Sequence, residues 1–199
     1  MRRLIAVLTA TTALLGLGAF PAVAGGPNNY VTANSTVDAA GAATIVTRSS
    51  MIAGPTGTDE VTSANVARAT AHDCSGCQAI AVAFQAVLMT DNPHTVTPRN
   101  LAVAKNVSCT GCAAFAFAFQ YVVSTGGPAH ISPAGQQGIA DLRREVADDL
   151  ATDLTPEDLN ARLTDIGHRF QALVDREIVR TGGHPQDGEL RKQADETPA

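Results

Sequence analysis

The sequence predicts an α+β fold, in which an antiparallel β-meander of about six strands precedes a C-terminal pair of antiparallel helices. Two observations predict it. Gly41, Gly76 and Gly111 recur every 35 residues and close similar turns. After Gly126-Gly127-Pro128 the apolar period changes from two to roughly three and a half. The 199 residues, 45% of them apolar, suffice for one domain with a core of its own.

The N-terminus has the composition of a secretory signal peptide. Arg2 and Arg3 give it a positive start, the segment from Leu4 to Leu17 is apolar, and Ala22-Val23-Ala24 is an A-x-A cleavage site. The alternative is an uncleaved anchor, but the apolar segment is shorter than the about 20 residues that a membrane span needs. We therefore expect residues 1–24 to be removed, leaving a secreted, extracellular protein without a stable membrane anchor.

Residues 25–131 are predicted to form three β-hairpins. Asp or Ser at the first position of a turn and Gly at the fourth are typical of type I turns, in which Gly takes the left-handed conformation. The three turns read Asp38-Ala39-Ala40-Gly41, Asp73-Cys74-Ser75-Gly76 and Ser108-Cys109-Thr110-Gly111. An extended run precedes and follows each turn. Three hairpins in series give the predicted meander.

The runs after the second and third turns alternate strictly between large and small residues, as strands do. Gln85 and Gln120 occupy equivalent positions in them. An aromatic stripe on the third run is interpreted as core. The large residues of the two runs are Ile80, Val82, Phe84 and Leu88, then Phe115, Phe117, Phe119, Tyr121 and Val123.

Residues 132–180 are predicted to form a helical hairpin. Ser132-Pro133 starts the first helix, and Thr155-Pro156 starts the second with Thr as N-cap and Pro in the first turn. The second helix is expected to end near Arg180, and the apolar stripes are expected to cover one face of the sheet. The polar residues 181–199 are predicted to be a disordered tail.

The charge distribution argues against nucleic acid as a partner. The formal charge of −5 becomes −7 once Arg2 and Arg3 leave with the signal peptide. Residues 25–131 carry 4 basic and 5 acidic groups, and residues 132–199 carry 8 and 14. Because nucleic-acid binding needs a basic surface, we expect no nucleic-acid partner. Export and repetition favour an extracytoplasmic protein or a membrane protein as partner.

The four cysteines Cys74, Cys77, Cys109 and Cys112 form two C-x2-C pairs at equivalent turns. In a meander these turns would lie at the same end of the sheet, roughly 10 Å apart. An exported protein favours disulfides, and the matched spacing favours local 74–77 and 109–112 pairs. A 77–109 bridge is the other connectivity considered, since four cysteines allow three pairings.

Two chemical alternatives use the same residues. Four thiolates on paired C-x2-C turns could bind zinc, and a C-x2-C dithiol could catalyse redox exchange. Other catalytic signatures, such as H-E-x-x-H, G-x-S-x-G or a P-loop, do not occur in the sequence. We therefore predict a non-enzymatic binding or assembly module that has no cofactor and is stabilised by disulfides. A zinc- or thiol-dependent protein is the alternative.

The doubled segments C-S-G-C-Q-A-I-A-V-A-F-Q and C-T-G-C-A-A-F-A-F-A-F-Q carry a family resemblance. The chain resembles, over about residues 29–180, small secreted actinobacterial β-repeat proteins and the extracytoplasmic region of peptide zinc metalloprotease-like proteins. The resemblance implies an exported repeat domain. It does not extend to protease activity, because the protease motif is absent from this sequence.

Overall fold

The computed structural model describes residues 27–57 and 59–181, and the backbone of 193–195. The predicted signal peptide and most of the predicted tail lie outside these residues. The elements are β1 (Asn29–Ser35), β2 (Ile45–Thr56), β3 (Glu60–Ser75), β4 (Gln78–Met89), β5 (Thr95–Thr110), β6 (Ala113–Ser124), β7 (Ala129–Ile131), α1 (Pro133–Ala151), α2 (Pro156–Glu177), β8 (Ile178–Arg180) and β9 (Gln193–Asp195).

The strands form parallel sheets, so the predicted antiparallel meander is wrong. The first sheet has the order β1-β3-β5 and the second β2-β4-β6. Every pairing within these two triplets is parallel, and the short β9 lies antiparallel to β6. Strands that follow one another in the sequence lie in different sheets. Each repeat is therefore one coil of a short β-solenoid: coil 1 is β1–β2, coil 2 is β3–β4 and coil 3 is β5–β6.

The physical reason for the error is that a period of two fits parallel and antiparallel strands equally well. The 35-residue repeat distinguishes them, because stacked coils place equivalent residues side by side. Asn65 pairs with Asn100, and Phe84 pairs with Phe119. The turns that were interpreted as hairpins carry the chain from the first sheet to the second.

The alternation of large and small residues separates two apolar layers. Small side chains fill the space between the sheets; the buried members of this cluster are Val31, Ala33, Ala67, Ala69, Ala71, Cys77, Ala79, Ala81, Ala83 and Ala116. Large side chains on the other face of the second sheet, such as Phe84 and Phe119, pack against Leu163 and Phe170 of α2. The predicted aromatic stripe is therefore core, and the molecule has three layers: sheet, sheet and helices.

The predicted α+β class and two C-terminal helices are present. Ser132 caps α1 by accepting from the Gly135 amide at 2.9 Å, and Thr155 caps α2 by accepting from the Asp158 amide at 3.1 Å. However, α2 ends at Glu177, three residues before the predicted end. The next residues form β8, which pairs antiparallel with β7. Neither helix is long and apolar enough to cross a membrane.

Buried amides form a ladder through the three coils. Asn29 Nδ2 donates to Asn65 Oδ1, and Asn65 Nδ2 donates to Asn100 Oδ1, both at 2.9 Å. Asn65 Nδ2 also lies 2.9 Å from the Phe119 carbonyl of the second sheet. A second rung joins Gln120 Nε2 to Gln85 Oε1 at 2.6 Å. Because a buried amide without partners costs free energy, these bonds fix both the register and the seam between the sheets.

We predict that Asn65→Ala lowers the free energy of unfolding by about 3 kcal/mol, because several buried groups lose their partners together. Asn106→Ala is the matched control, since Asn106 is exposed and makes one long bond of 3.4 Å to the Cys112 carbonyl. It should cost less than about 0.5 kcal/mol. Urea unfolding followed by circular dichroism measures both. Equal losses in the two variants would contradict a structural role for the ladder.

Candidate functional site

The four predicted site residues lie on the turns that connect the sheets in coils 2 and 3. Each of these turns contains two residues with left-handed backbone. Gly76 and Gly111 have φ of 76° and 63°, while Asp73 and Ser108 both have φ of 50°. A non-glycine residue rarely takes positive φ, and Asp is among the more tolerant types. The sequence predicted the glycines but not their left-handed partners three residues earlier.

Hydrogen bonds between the coils hold these two turns against each other. The Gly76 amide donates to the Thr110 carbonyl and the Ala113 amide donates to the Cys77 carbonyl, both at 2.9 Å. Cys74 and Cys109 are directly paired in the ladder between β3 and β5. The turns are therefore one strand spacing apart, about 4.8 Å, and the expected separation of roughly 10 Å is wrong. A meander would have placed one strand between them.

This stacking brings sulfur atoms of the two turns into contact, and they form a sulfur cluster with Cys74 at its centre. Cys74 with Cys77, and Cys109 with Cys112, are at disulfide distance, with Cα atoms 6.2 and 5.9 Å apart. Across the coils, Cys74 Sγ lies 3.3 Å from Cys109 Sγ and 3.6 Å from Cys112 Sγ. Cys77 is fully buried among the alanines, while the other three are half-buried. The structure thus has the local pairs, with the two disulfides in contact.

In the part of the chain that the structure describes, the sulfur atoms of Cys74, Cys109 and Cys112 form the one group of three or more potential metal ligands within 4.8 Å of one another. The nearby imidazole of His72 is directed elsewhere: its Nδ1 lies 3.1 Å from Asp73 Oδ2. Any chemistry at this end of the solenoid therefore belongs to sulfur.

A second candidate surface is the outer face of the first sheet. The buried residues Asn65, Ala67 and Ala69 of β3 point toward the second sheet, so the alternate residues of β3 point away from it. By the same alternation Arg68 of β3 and Arg99 and Lys105 of β5 share this outer face, and all three are exposed. Tyr30 of β1 is 66% exposed on it. The exposed Glu60 of β3 lies on the same face, which therefore holds three cations and one carboxylate.

Other polar groups with chemical potential have structural partners. A cavity of about 280 Å³ between β2 and α1 is lined by Ser49, Ser50 and Arg143 and by apolar residues. Arg143 Nε donates to the Met51 carbonyl at 2.9 Å, and burial lowers the pKa of its guanidinium. Tyr121 donates its hydroxyl hydrogen to Asp175, and burial, then this bond, raises the pKa of the phenol.

The asparagine ladder is the feature that sequence reasoning missed. Its signal was present, because Asn29, Asn65 and Asn100 are spaced 36 and 35 residues apart. The equivalent positions of Gln85 and Gln120 were noticed, but in a meander they have no reason to touch. Repetition of a polar residue at a buried position indicates stacking in a parallel solenoid.

Comparisons with known proteins identify no relative: no family model, curated protein or solved structure matches this chain. The resemblance to secreted repeat proteins therefore stays a prediction. The functional argument depends on the geometry of the two candidate sites.

We predict that Cys74→Ala/Cys77→Ala lowers the free energy of unfolding by about 2 kcal/mol, the chain-entropy contribution of a very short disulfide loop. Coil 1 supports removal of the pair, because it contains no cysteine and still connects a strand of the first sheet to a strand of the second. Urea midpoints with and without a phosphine reductant measure the effect. A variant with all four cysteines replaced should be insensitive to the reductant; an equally insensitive wild type would contradict structural disulfides.

Proposed function

We propose that this chain is an exported, non-enzymatic binding module stabilised by its two disulfides, and that the outer face of the first sheet contacts its partner. One observation carries the proposal. Residues 25–131 contain 4 basic residues, and three of them, Arg68, Arg99 and Lys105, lie on this single face. The signal-like N-terminus and the paired cysteines support export, because disulfides persist in oxidising compartments.

The charge of this face favours an acidic partner. The chain as a whole has a formal charge of −5, and its helical segment is its most acidic part. Arg99 and Lys105 are six residues apart on β5, which spreads the cations over about 20 Å of strand. Tyr30 adds an exposed aromatic ring, a residue type enriched in protein interfaces. The partner we propose is an acidic surface of an extracytoplasmic protein or of the exposed part of a membrane protein.

The internal polar groups support a non-enzymatic role. Asn65 and Gln120 bond within the ladder, Tyr121 bonds Asp175, and Arg143 bonds the backbone of β2. Each of these bonds joins two layers or two coils. The buried polar groups therefore hold a rigid frame, and a rigid sheet face loses little conformational entropy when it binds.

We predict that the protein binds fluorescein-labelled poly-L-glutamate at low ionic strength, and that Arg68→Ser/Lys105→Ser weakens this binding about 10-fold or more. The matched control is Arg144→Ser/Arg176→Ser, which removes the same charge from exposed positions of the helical layer. Fluorescence anisotropy measures affinity, and raising the salt concentration should weaken it, because exposed charges are screened.

Three outcomes would contradict the proposal. They are no binding of poly-L-glutamate, equal weakening by both double variants, and tighter binding to duplex DNA of equal charge. The substituted residues are exposed in both double variants, so circular dichroism should show an unchanged fold. The quadruple Cys→Ala variant should retain binding at temperatures where it remains folded.

A further inference from the structure

The sulfur cluster can do more than close two small loops. Disulfides explain why each turn has two cysteines, and the register of β3 and β5 brings the sulfurs of the two turns together. Cys74 Sγ lies 3.3 and 3.6 Å from the two sulfurs of the other turn. Sulfur ligands of a tetrahedral zinc ion lie about 3.8 Å apart, because each Zn–S bond is about 2.3 Å long. The two distances from Cys74 are thus already near those between the ligands of a zinc ion, and Cys74, Cys109 and Cys112 all lie within 4.8 Å of one another, whereas Cys77 lies outside this group.

We propose that, when its four cysteines are reduced, the protein binds one Zn²⁺ ion between coils 2 and 3. Cys74 and Cys77 supply two ligands from one turn, and Cys109 and Cys112 supply two from the other. Coil 1 contains no cysteine. The stack therefore offers four sulfur ligands in this place and holds a single closed tetrahedral ion.

The backbone makes this site pre-organised. The bonds from the Gly76 amide to the Thr110 carbonyl and from the Ala113 amide to the Cys77 carbonyl do not involve sulfur. They keep the turns stacked whether the cysteines are oxidised or reduced. Cys77 approaches the ion from the buried alanine layer, and the three half-buried cysteines complete the set. After reduction Cys77 has to turn toward the other three sulfurs, which already lie within 4.8 Å of one another.

The disulfide and metal states exclude each other. Two equivalents of a dithiol supply the four electrons and four protons that convert both disulfides to four thiols, and each dithiol becomes a disulfide. Binding of Zn²⁺ then releases the four thiol protons and leaves a complex with a charge of −2. Two equivalents of a small-molecule disulfide reverse the exchange: they take up the four electrons, become dithiols by gaining four protons from water, and leave two protein disulfides and a free Zn²⁺ ion. The zinc state therefore belongs to the chain before its disulfides form or after they are reduced.

The two states connect different parts of the solenoid. Each disulfide closes a loop within its own coil. The zinc ion would bridge β3 and β5, and so would link coil 2 to coil 3. Metal binding should accordingly stabilise the reduced stack, because an ion that binds the folded state alone adds its binding free energy to stability.

The test uses the purified chain, reduced with a water-soluble phosphine under oxygen-free conditions and titrated with Co²⁺ as a spectroscopic substitute for Zn²⁺. We expect one Co²⁺ per chain, with sulfur-to-cobalt charge-transfer absorption and the visible bands of tetrahedral coordination. One equivalent of Zn²⁺ should abolish this absorption. The oxidised chain should bind neither ion, since its sulfurs are in disulfides.

The variants identify the ligands. Cys77→Ser and Cys112→Ser should each weaken Co²⁺ binding about 100-fold or more, because the first removes a thiolate ligand from the coil 2 turn and the second removes one from the coil 3 turn. The matched controls Ser75→Ala and Thr110→Ala change the residues between the cysteines and should bind as the wild type does. If reduction unfolds the chain, one equivalent of Zn²⁺ should restore its circular dichroism.

The proposal is overturned by any of four results. They are no Co²⁺ uptake by the reduced chain, an octahedral spectrum, a stoichiometry other than one, and unchanged affinity in the cysteine variants. If reduction unfolds the chain and Zn²⁺ does not refold it, the proposal is overturned as well. None of these results bears on binding by the outer face of the first sheet, which lies on other residues and is measured with the oxidised protein.

Discussion

The constraint on which the structure depends is the in-register stacking of amides that repeat once per coil. Asn65 is fully buried, and its side chain is hydrogen-bonded to Asn29 of coil 1, to Asn100 of coil 3 and to a backbone carbonyl of the second sheet. A slip of one residue would turn it outward and leave the carbonyl groups of the second sheet without a donor. The ladder therefore selects one register. That register pairs Cys74 with Cys109 and brings the four sulfurs together.

The second sheet has two faces of very different volume, and this difference sets the order of the layers. Its small residues, such as Ala81 and Ala83, meet alanines of the first sheet. Its large residues, such as Phe84, need a thick apolar layer, which the helices supply. Phe84 makes an edge contact with Phe170 of α2, their ring centroids 6.2 Å apart. The helices therefore cover the second sheet and leave the outer face of the first sheet, the proposed binding face, uncovered.

Local sequence signals predicted local structure well. The caps at Ser132 and Thr155, the strand alternation and the turn glycines all correspond to observed features, because a few neighbouring residues decide each of them. The sheet topology was beyond such signals. A turn between two apolar strands can close a hairpin or connect two sheets. Which of the two forms depends on contacts between strands that are about 35 residues apart in the sequence. The direct contact between the two cysteine turns was missed for the same reason, since the geometry of the sulfur cluster follows from the stacking. Recognition that Asn29 and Asn65 are both buried would have predicted it.

The edges of the stack explain why three coils form a finite unit. Parallel strands with open edges invite further strands, and proteins limit this with proline, charge or a covering segment. Pro55 lies in β2 and Pro98 in β5, both outermost strands of their triplets, where a missing amide hydrogen is tolerated. Arg143 donates a hydrogen bond to the Met51 carbonyl of β2, and β9 pairs with β6. On β5, the flanking Arg99 and Lys105 add charge along the edge. Arg99 and Lys105 therefore have two consequences. They discourage the addition of another coil at the β5 edge, and they supply charge to the proposed binding face.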